Sequence, residues 1–136
     1  MISILFDNPK YDENVETIAR TCEFYGCNFY IRNPQKIKSL KKSAGVLKHK
    51  PLKILDISKW KGRIIVTDSC FAQEPKNFEF KDDDLIVFGN ESTGVSLDLI
   101  DISSAKLGIK SKGIVPCLNV SAACASILSI IDYKQE

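Results

Sequence analysis

Two glycine-containing loops are the stretches of this 136-residue chain that are best suited to bind a ligand through backbone groups. The first, residues 89–94, reads Gly-Asn-Glu-Ser-Thr-Gly and follows the apolar run Leu85–Phe88. The second, residues 113–119, carries one glycine and one proline and leads into a helix. The first loop matches neither G-x-G-x-x-G nor a P-loop, which disfavours a classical dinucleotide or triphosphate cradle. It offers backbone and one carboxylate, Glu91, and an ordinary strand–helix turn explains it equally well.

Few side chains could carry out acid–base or covalent chemistry. The single histidine, His49, lies in a lysine-rich stretch, so no Ser-His-Asp or Cys-His set is available. Cys117 as a nucleophile has no supporting partner in the sequence. Arg20 lies late in a predicted helix, where a basic residue suits the helix dipole; Asn14 is a plausible cap of that helix, and Asn119 or Ser121 of the last one. Each residue taken singly therefore has a purely structural explanation.

Composition excludes several classes of protein. The five cysteines are odd in number and scattered without a C-x-x-C pair, so we expect reduced thiols and no metal site. No apolar run approaches the roughly 20 residues that cross a bilayer, and Met1–Asp7 lacks the basic flank of a signal peptide. We expect a single cytoplasmic domain over residues 1–136, without a membrane span.

The distribution of charge is more informative than the net charge of +2. No acidic residue lies between Glu23 and Asp56, and this interval favours a surface that contacts RNA phosphates. A solvated lysine-rich surface is the alternative. The basic residues of the interval are Arg32, Lys36, Lys38, Lys41, Lys42, Lys48, Lys50 and Lys53.

The elements that position these residues begin with a βαβ unit. Ile2–Phe6 reads as a buried strand, a helix opens at Asp12–Asn14 and ends at Gly26, and Asn28–Arg32 reads as a second strand. Because βαβ units form parallel sheets, we predict an α/β fold, with a mainly parallel sheet and helices on both of its faces.

The rest of the chain contains some segments with a clear secondary-structure pattern and others with a weak one. The segment 69–81 is rich in turn residues, and the final helix carries an apolar stripe and an unusually small first half. The predicted elements are a weak helix over 37–47, strands at 52–57, 63–68, 85–88 and 106–110, a short helix from Ser96, and the last helix from Asn119.

Taken in order, three segments resemble the signature motifs of the SpoU/TrmH family of RNA ribose 2′-O-methyltransferases, in the SPOUT superfamily. They are Asn14-x5-Arg20-Thr21-Cys22, Phe88–Val95, and Leu118–Ser121 with its small-residue helix. The resemblance extends over essentially the whole chain. It implies a deep trefoil knot at the C-terminal end, an exception to the rule that chains do not thread loops. It also implies a homodimer whose active site is completed across the interface.

The resemblance further implies S-adenosylmethionine as the methyl donor, bound against loops 89–94, 109–113 and 116–119. It assigns catalytic roles to Arg20, Asn14, Glu91 and Asn119. An unperturbed guanidinium is a poor base, so we expect Arg20 to position the ribose 2′-hydroxyl or the adjacent phosphate and to stabilise charge. The cofactor-binding residues that it implies are Phe88, Gly89, Asn90, Glu91, Gly94, Ile109, Lys110, Gly113, Cys117, Leu118 and Asn119.

Three positions depart from the family pattern: Glu16 where a small residue is usual, Cys117 where serine is usual, and Lys110-Ser111 in place of Pro-Met. Cysteine is a weaker hydrogen-bond partner than serine. The departures therefore keep open a second hypothesis, a knotted RNA-binding dimer with weakened methyl transfer. A flavodoxin-like binding protein is supported only by the parallel sheet.

The expected substrate is tRNA, with rRNA as the second choice. The compact chain resembles the minimal family members that modify the tRNA wobble position. The residue pattern Asn14-Val15 and Arg20-Thr21-Cys22 is closer to that of the enzymes that modify a D-loop guanosine. The sequence does not separate these two targets.

Overall fold

The computed structural model describes residues 1–34 and 46–135. They form a six-stranded sheet in the order β3-β2-β1-β5-β4-β6, and every strand pair is parallel. The strands are β1 (Ser3–Asp7), β2 (Asn28–Arg32), β3 (Lys53–Ile54), β4 (Ile64–Thr67), β5 (Leu85–Phe88) and β6 (Ala105–Leu107). The helices are α1 (Asp12–Tyr25), α2 (Val46–His49), α3 (Leu97–Ile102) and α4 (Val120–Lys134).

The predicted βαβ unit is confirmed. β1 pairs with β2 in parallel along its whole length, from Ser3 opposite Asn28 to Asp7 opposite Arg32. Helix α1 ends at Gly26, whose φ of 72° lies in the left-handed region that glycine adopts without a steric penalty. The following residue can therefore start β2 at once.

Helices cover both faces of the sheet, as predicted. Alternate residues of the central strands point to opposite sides, so Ile4 and Leu5 of β1 belong to different hydrophobic clusters. Helices α1 and α4 complete one cluster, and α3 contributes Leu99 to the other. All four residues of β5 are buried, because this strand lies between β1 and β4 and is covered on both faces of the sheet.

Several predicted boundaries were wrong. The strand expected at 106–110 is Ala105–Leu107, because the chain leaves the sheet at Gly108, which packs against the carbonyl oxygens of residues 68 and 71. The strand expected at 52–57 is only Lys53–Ile54, and it is followed by a 3-10 turn over Ile57–Lys59. Most of the helix expected over 37–47 lies outside the described residues. Among the described residues, no helix is long and apolar enough to cross a membrane.

A buried ion pair ties the amino ends of β4 and β5. Arg63 donates from Nε to Asp84 Oδ1 and from Nη2 to Asp84 Oδ2, each over 2.7 Å, and the Asp84 residue is fully buried. Bidentate pairing fixes the guanidinium and carboxylate in one plane. It holds the edge of the sheet opposite to the site described next.

Candidate active site

A cavity of about 560 Å³ opens at the carboxyl ends of β4, β5 and β6. This is the edge at which open parallel sheets bind their ligands. Its floor is made by residues of the three strands and of loop 89–94, and its opposite wall by loop 117–119 and the first turns of α4. The two loops singled out from the sequence therefore line one cavity.

Loop 89–94 folds back on itself with no room for side chains at its two glycines. Asn90 and Gly94 exchange both backbone hydrogen bonds, at 3.0 and 2.9 Å. A Cβ atom on Gly89 would lie 2.1 Å from the carbonyl carbon of Gly94, and Gly94 has a φ of 77°. A side chain at Gly89 would have to displace the backbone, whereas one at Gly94 would meet the Asp68 carboxylate and adopt a strained left-handed conformation, so glycine is favoured at both positions.

Three consecutive side chains of this loop bind the segment that leads into α1. The Asn90 Nδ2 donates to the carbonyl of Asn8 over 2.8 Å, and the Ser92 hydroxyl accepts from the Lys10 ammonium over 3.1 Å. Between them, the carboxylate of Glu91 accepts from the backbone N–H groups of Lys10 and Tyr11, each over 2.9 Å. Glu91 thus places a negative charge at the N-terminus of α1, where the helix dipole stabilises it.

Asn14 connects the first motif to the other two. Its Nδ2 donates to Glu91 Oε2 over 3.0 Å, and its Oδ1 accepts from Asn119 Nδ2 over 3.2 Å. Asn119 in turn caps α4, since its Oδ1 accepts from the backbone N–H of Ser121 over 2.8 Å. Because a carboxylate only accepts, the direction of every amide in this chain of hydrogen bonds is determined.

The prediction that Asn14 caps its helix was wrong, whereas the same prediction for Asn119 is confirmed. Tyr11 occupies the N-cap position of α1 without a side-chain hydrogen bond. Asn14 lies in the first turn and is buried, with its amide directed to Glu91 and Asn119. The backbone just before α1 is held instead by Glu91 in a distant loop, which accepts the N–H groups of Lys10 and Tyr11, and sequence spacing within α1 could not indicate this contact.

Most of the residues predicted to bind the cofactor line this cavity. Lys110 and Gly113 do not; both are exposed and lie beyond the lining. The predicted residues that do line it are Phe88, Gly89, Asn90, Glu91, Gly94, Ile109, Cys117, Leu118 and Asn119.

Arg20 is not brought to the other three predicted catalytic residues. Its side chain is exposed on α1 and has no hydrogen bond or ion pair with any described residue. Six residues separate it from Asn14, a rotation of about 240° around the helix axis, so the two side chains leave α1 in different directions. The structure therefore assembles Asn14, Glu91 and Asn119 and leaves Arg20 on a separate surface.

The basic interval is partly neutralised by acids from elsewhere in the chain. Arg32 was predicted to contact RNA, but its guanidinium is half-buried, donates to Asp7 over 3.0 Å and pairs with Asp98. Lys50 pairs with Glu23 over 2.6 Å. The expectation of a surface without compensating acids is thus wrong for these two residues.

Of the other basic residues predicted to contact RNA, one is exposed and four lie outside the described residues. Lys48 is exposed near the end of α2, and its contact with RNA stays a prediction. The predicted contacts Lys36, Lys38, Lys41 and Lys42 lie outside the described residues.

Sequence reasoning missed several residues of the cavity. Asp68 follows β4 directly, and Thr67 and Leu107 end their strands at the same edge. A polar residue just after a strand of a parallel sheet is the signal that could have identified Asp68. Tyr11, at the start of α1, and Ile127, two turns into α4, carry no such signal, because their proximity depends on how the helices pack.

The model of the SpoU rRNA Methylase family matches residues 1–129 of the chain. The chain belongs to this family. The motifs that line the cavity are therefore those of a SpoU methylase domain, and the match covers every strand and the first two thirds of α4.

Known proteins similar to this SpoU-family chain agree with that assignment. The chain is 29% identical to the tRNA (guanosine(18)-2′-O)-methyltransferase of Aquifex aeolicus over an alignment of 148 positions. The alignment covers 98% of this chain and 69% of that one. A chain from a structural study of 2-OH methylation of C/U34 on tRNA superposes with a TM-score of 0.87 at 19% identity, covering 99% of this chain and 90% of that one.

A third similar structure contains a ligand. The SpoU methyltransferase AviRb from Streptomyces viridochromogenes, in complex with AdoMet, superposes with a TM-score of 0.85 at 22% identity. The alignment covers 98% of this chain but 57% of AviRb, so this chain spans little more than half the length of that protein. At these identities the two superpositions show a shared fold.

Proposed function

We propose that this SpoU-family chain is an S-adenosylmethionine-dependent RNA ribose 2′-O-methyltransferase with tRNA as its favoured substrate and rRNA as the second. The observation that carries the proposal is the chain of hydrogen bonds from Glu91 through Asn14 to Asn119. It joins all three motifs of the resemblance at one cavity. The tRNA-modifying relative from Aquifex aeolicus supports the substrate class.

The cavity has the properties that S-adenosylmethionine requires. None of the described lining residues is basic, which disfavours a phosphorylated cofactor. Leu107, Ile109 and Leu118 offer an apolar wall to an adenine ring, and the tight backbone of loop 89–94 offers peptide groups close to the cavity. Phe88, Gly94, Cys117 and Asn119 would hold the cofactor with them.

When bound, S-adenosylmethionine supplies an activated methyl group, so the protein needs to align groups rather than to generate a strong nucleophile. Glu91 and Asn14 hold the start of α1 against loop 89–94, and Asn119 holds the start of α4 in register with both. The hydrogen bonds among these three residues thus fix the positions of loop 89–94 and of the starts of α1 and α4 relative to one another. Arg20 would contact the ribose or the phosphate beside it and stabilise developing charge.

A homodimer is part of this proposal, and the position of Arg20 supports it. Arg20 lies away from the cavity of its own chain, so an active site completed across an interface accounts for an arginine in the first motif. Exposed apolar residues beside the cavity supply surface for such an interface: Ile114 is fully exposed, and Val115 and Leu118 are 62% and 48% exposed.

Mixing two inactive variants tests the dimer. In a mixed dimer of Arg20→Ala and Gly94→Val subunits, one cavity is intact and faces the other subunit's Arg20. We expect mixing to restore methyl transfer to up to half of the wild-type level per mixed dimer. If activity stays absent although mixed dimers form, Arg20 acts within its own chain, and a monomer by light scattering would remove the dimer altogether.

The trefoil knot also belongs to the proposal. What supports it is the tight passage of the chain after β6: Gly108 donates to the carbonyl of Gln73 over 2.8 Å and has no space for a Cβ atom. Helix α4 then packs beside α1 on one face of the sheet. Tracing the backbone of residues 69–134 in an experimental density map tests whether this passage is threaded.

The activity is tested by transfer of labelled methyl from S-adenosylmethionine to unmodified bulk tRNA and rRNA. We expect label in tRNA, at a ribose whose 3′ phosphodiester resists alkaline cleavage, and its loss in Arg20→Ala. Lys61→Ala removes an exposed positive charge elsewhere and should keep full activity. Cofactor binding without any transfer would favour the knotted RNA-binding dimer, and absence of cofactor binding would overturn the proposal.

A further inference from the structure

The cavity contains two carboxylates that differ in how well they are compensated. Glu91 accepts three hydrogen bonds, from the backbone of Lys10 and Tyr11 and from the amide of Asn14. Among the described residues, donors reach Asp68 only at Oδ1: the Ser69 hydroxyl and the Cys70 N–H, each over 3.4 Å. Hydrogen bonds as long as these do little to stabilise the negative charge of the carboxylate. The charge of Asp68 is therefore the less compensated one.

The second oxygen of Asp68 points at the ligand loop. A Cβ atom on Gly94 would lie 2.5 Å from Oδ2, so this oxygen rests against the backbone of loop 89–94. Among the described residues, none donates a hydrogen bond to Oδ2. Asp68 itself is half-buried and lines the cavity. A half-buried carboxylate is screened by water less than an exposed one.

No described cation lies on the cavity wall to balance this charge. The ammonium of Lys10, which contacts loop 89–94, is bound to the Ser92 hydroxyl and lies over the Tyr11 ring at 5.3 Å. An uncompensated carboxylate in a partly enclosed site favours a ligand that brings its own positive charge.

We infer that Asp68 is the counter-ion for a positive charge of the bound methyl donor. This inference rests on the proposed function, because it takes S-adenosylmethionine as the ligand. That molecule offers two cations, the sulfonium and the α-ammonium, and a carboxylate recognises both by the same electrostatics. Asp68 is thus a ligand-binding residue that discriminates by charge, in addition to the residues of the three motifs.

Binding measurements with three ligands test this inference without using catalysis. S-adenosylmethionine carries both cations, S-adenosylhomocysteine only the ammonium, and 5′-methylthioadenosine neither. Calorimetry is run on wild type, on Asp68→Asn, and on Asp101→Asn, which makes the same substitution at an exposed position outside the cavity. Thermal unfolding checks that all three proteins are folded.

We expect Asp68→Asn to weaken S-adenosylmethionine about tenfold and to change 5′-methylthioadenosine by less than about twofold. The S-adenosylhomocysteine arm identifies the cation: equal weakening assigns the ammonium, and unchanged affinity assigns the sulfonium. Asp101→Asn should bind all ligands like wild type. Equal weakening of all three ligands, or of none, would overturn the inference.

A salt titration of the wild type provides a test that needs no variant. If Asp68 attracts a cation, raising the salt concentration should weaken S-adenosylmethionine more than 5′-methylthioadenosine. Parallel curves for the two ligands would overturn the inference. If the wild-type protein binds 5′-methylthioadenosine but not S-adenosylmethionine, or neither ligand, the proposed function itself fails, which differs from every outcome above.

Discussion

Asn14 and Glu91 are 77 residues apart in the sequence and are joined by a hydrogen bond of 3.0 Å from Asn14 Nδ2 to Glu91 Oε2. The same Glu91 oxygen accepts the N–H of Tyr11, the residue at the N-cap position of α1. One carboxylate therefore both holds the backbone at the start of a helix and fixes the amide that holds Asn119. The second motif positions the first, and through it the third.

Neutralising Glu91 should destabilise the protein. In Glu91→Gln, an amide replaces an acceptor that three N–H groups share, and the helix dipole loses its negative partner. We expect urea denaturation to show that the free energy of unfolding is lower than that of the wild type by about 1–3 kcal/mol. Glu13→Gln, an exposed acid in the first turn of the same helix, should cost less than about 1 kcal/mol. Equal losses would contradict a special role for Glu91.

Arg32 should prove to be a stabilising residue. Arg32→Ala leaves the fully buried Asp7 carboxylate without its ion pair, which should cost about 3 kcal/mol in urea unfolding. Lys48→Ala at an exposed position should change stability by less than about 0.5 kcal/mol. If Lys48 contacts an RNA phosphate, its loss should lower the slope of log affinity against log salt by about one. An unchanged stability of Arg32→Ala would contradict the structure.

The ion pair of Asp98 with Arg32 should give a defined pH dependence. The hydrogen bond from Arg32 lowers the pKa of Asp98 below its ordinary 3.8. A lowered folded-state pKa stabilises the protein above the unfolded-state pKa, and this contribution disappears as the pH falls through the folded-state pKa. Because Asp98 is largely exposed, we expect less than about 1 kcal/mol.

Comparing Asp98→Asn with wild type at several pH values measures this contribution. The difference in unfolding free energy should be constant well above pH 3.8 and shrink progressively as the pH falls below it. Asp101→Asn, in the same helix α3 but without an ion pair among the described residues, should differ from wild type equally at every pH. A difference for Asp98→Asn that grows on acidification would contradict the pairing.

The cysteines should divide into reactive and protected groups. Cys70 and Cys117 are exposed, whereas Cys22 and Cys124 are buried against each other. Burial raises the pKa of Cys27 to about 11, so roughly one thiol in a thousand is ionised there at pH 8. Alkylation at pH 8, followed by mass spectrometry, should therefore label Cys70 and Cys117 first.

Ligand protection turns this labelling into a test of the site. Cys117 lines the cavity and Cys70 does not. Saturating S-adenosylmethionine should therefore slow the labelling of Cys117 and leave that of Cys70 unchanged. Protection of both or of neither would place the ligand elsewhere.

The sequence by itself determined the α/β class, the bounds of the first helix and of β2 and β5, and two candidate caps of α4, of which the structure uses Asn119. These depend on local periods of apolar residues, on Gly26 and on the residues beside each helix end, all of which are read from neighbours in the chain. The resemblance of the three motifs to a known family also identified most residues of the cavity, and only loop 89–94 could be expected there from the geometry of parallel strands.

Only the tertiary structure decided what each motif residue contacts. Asn14 binds Glu91 and Asn119 instead of capping α1, Arg32 is paired with Asp7 and Asp98, and Asp68 joins the cavity. Each of these depends on side chains separated by tens of residues along the chain. A local pattern gives the type and order of the elements, whereas such long-range contacts are set by strand order and helix packing, which bring distant hydrogen-bond donors and charges within reach of one another.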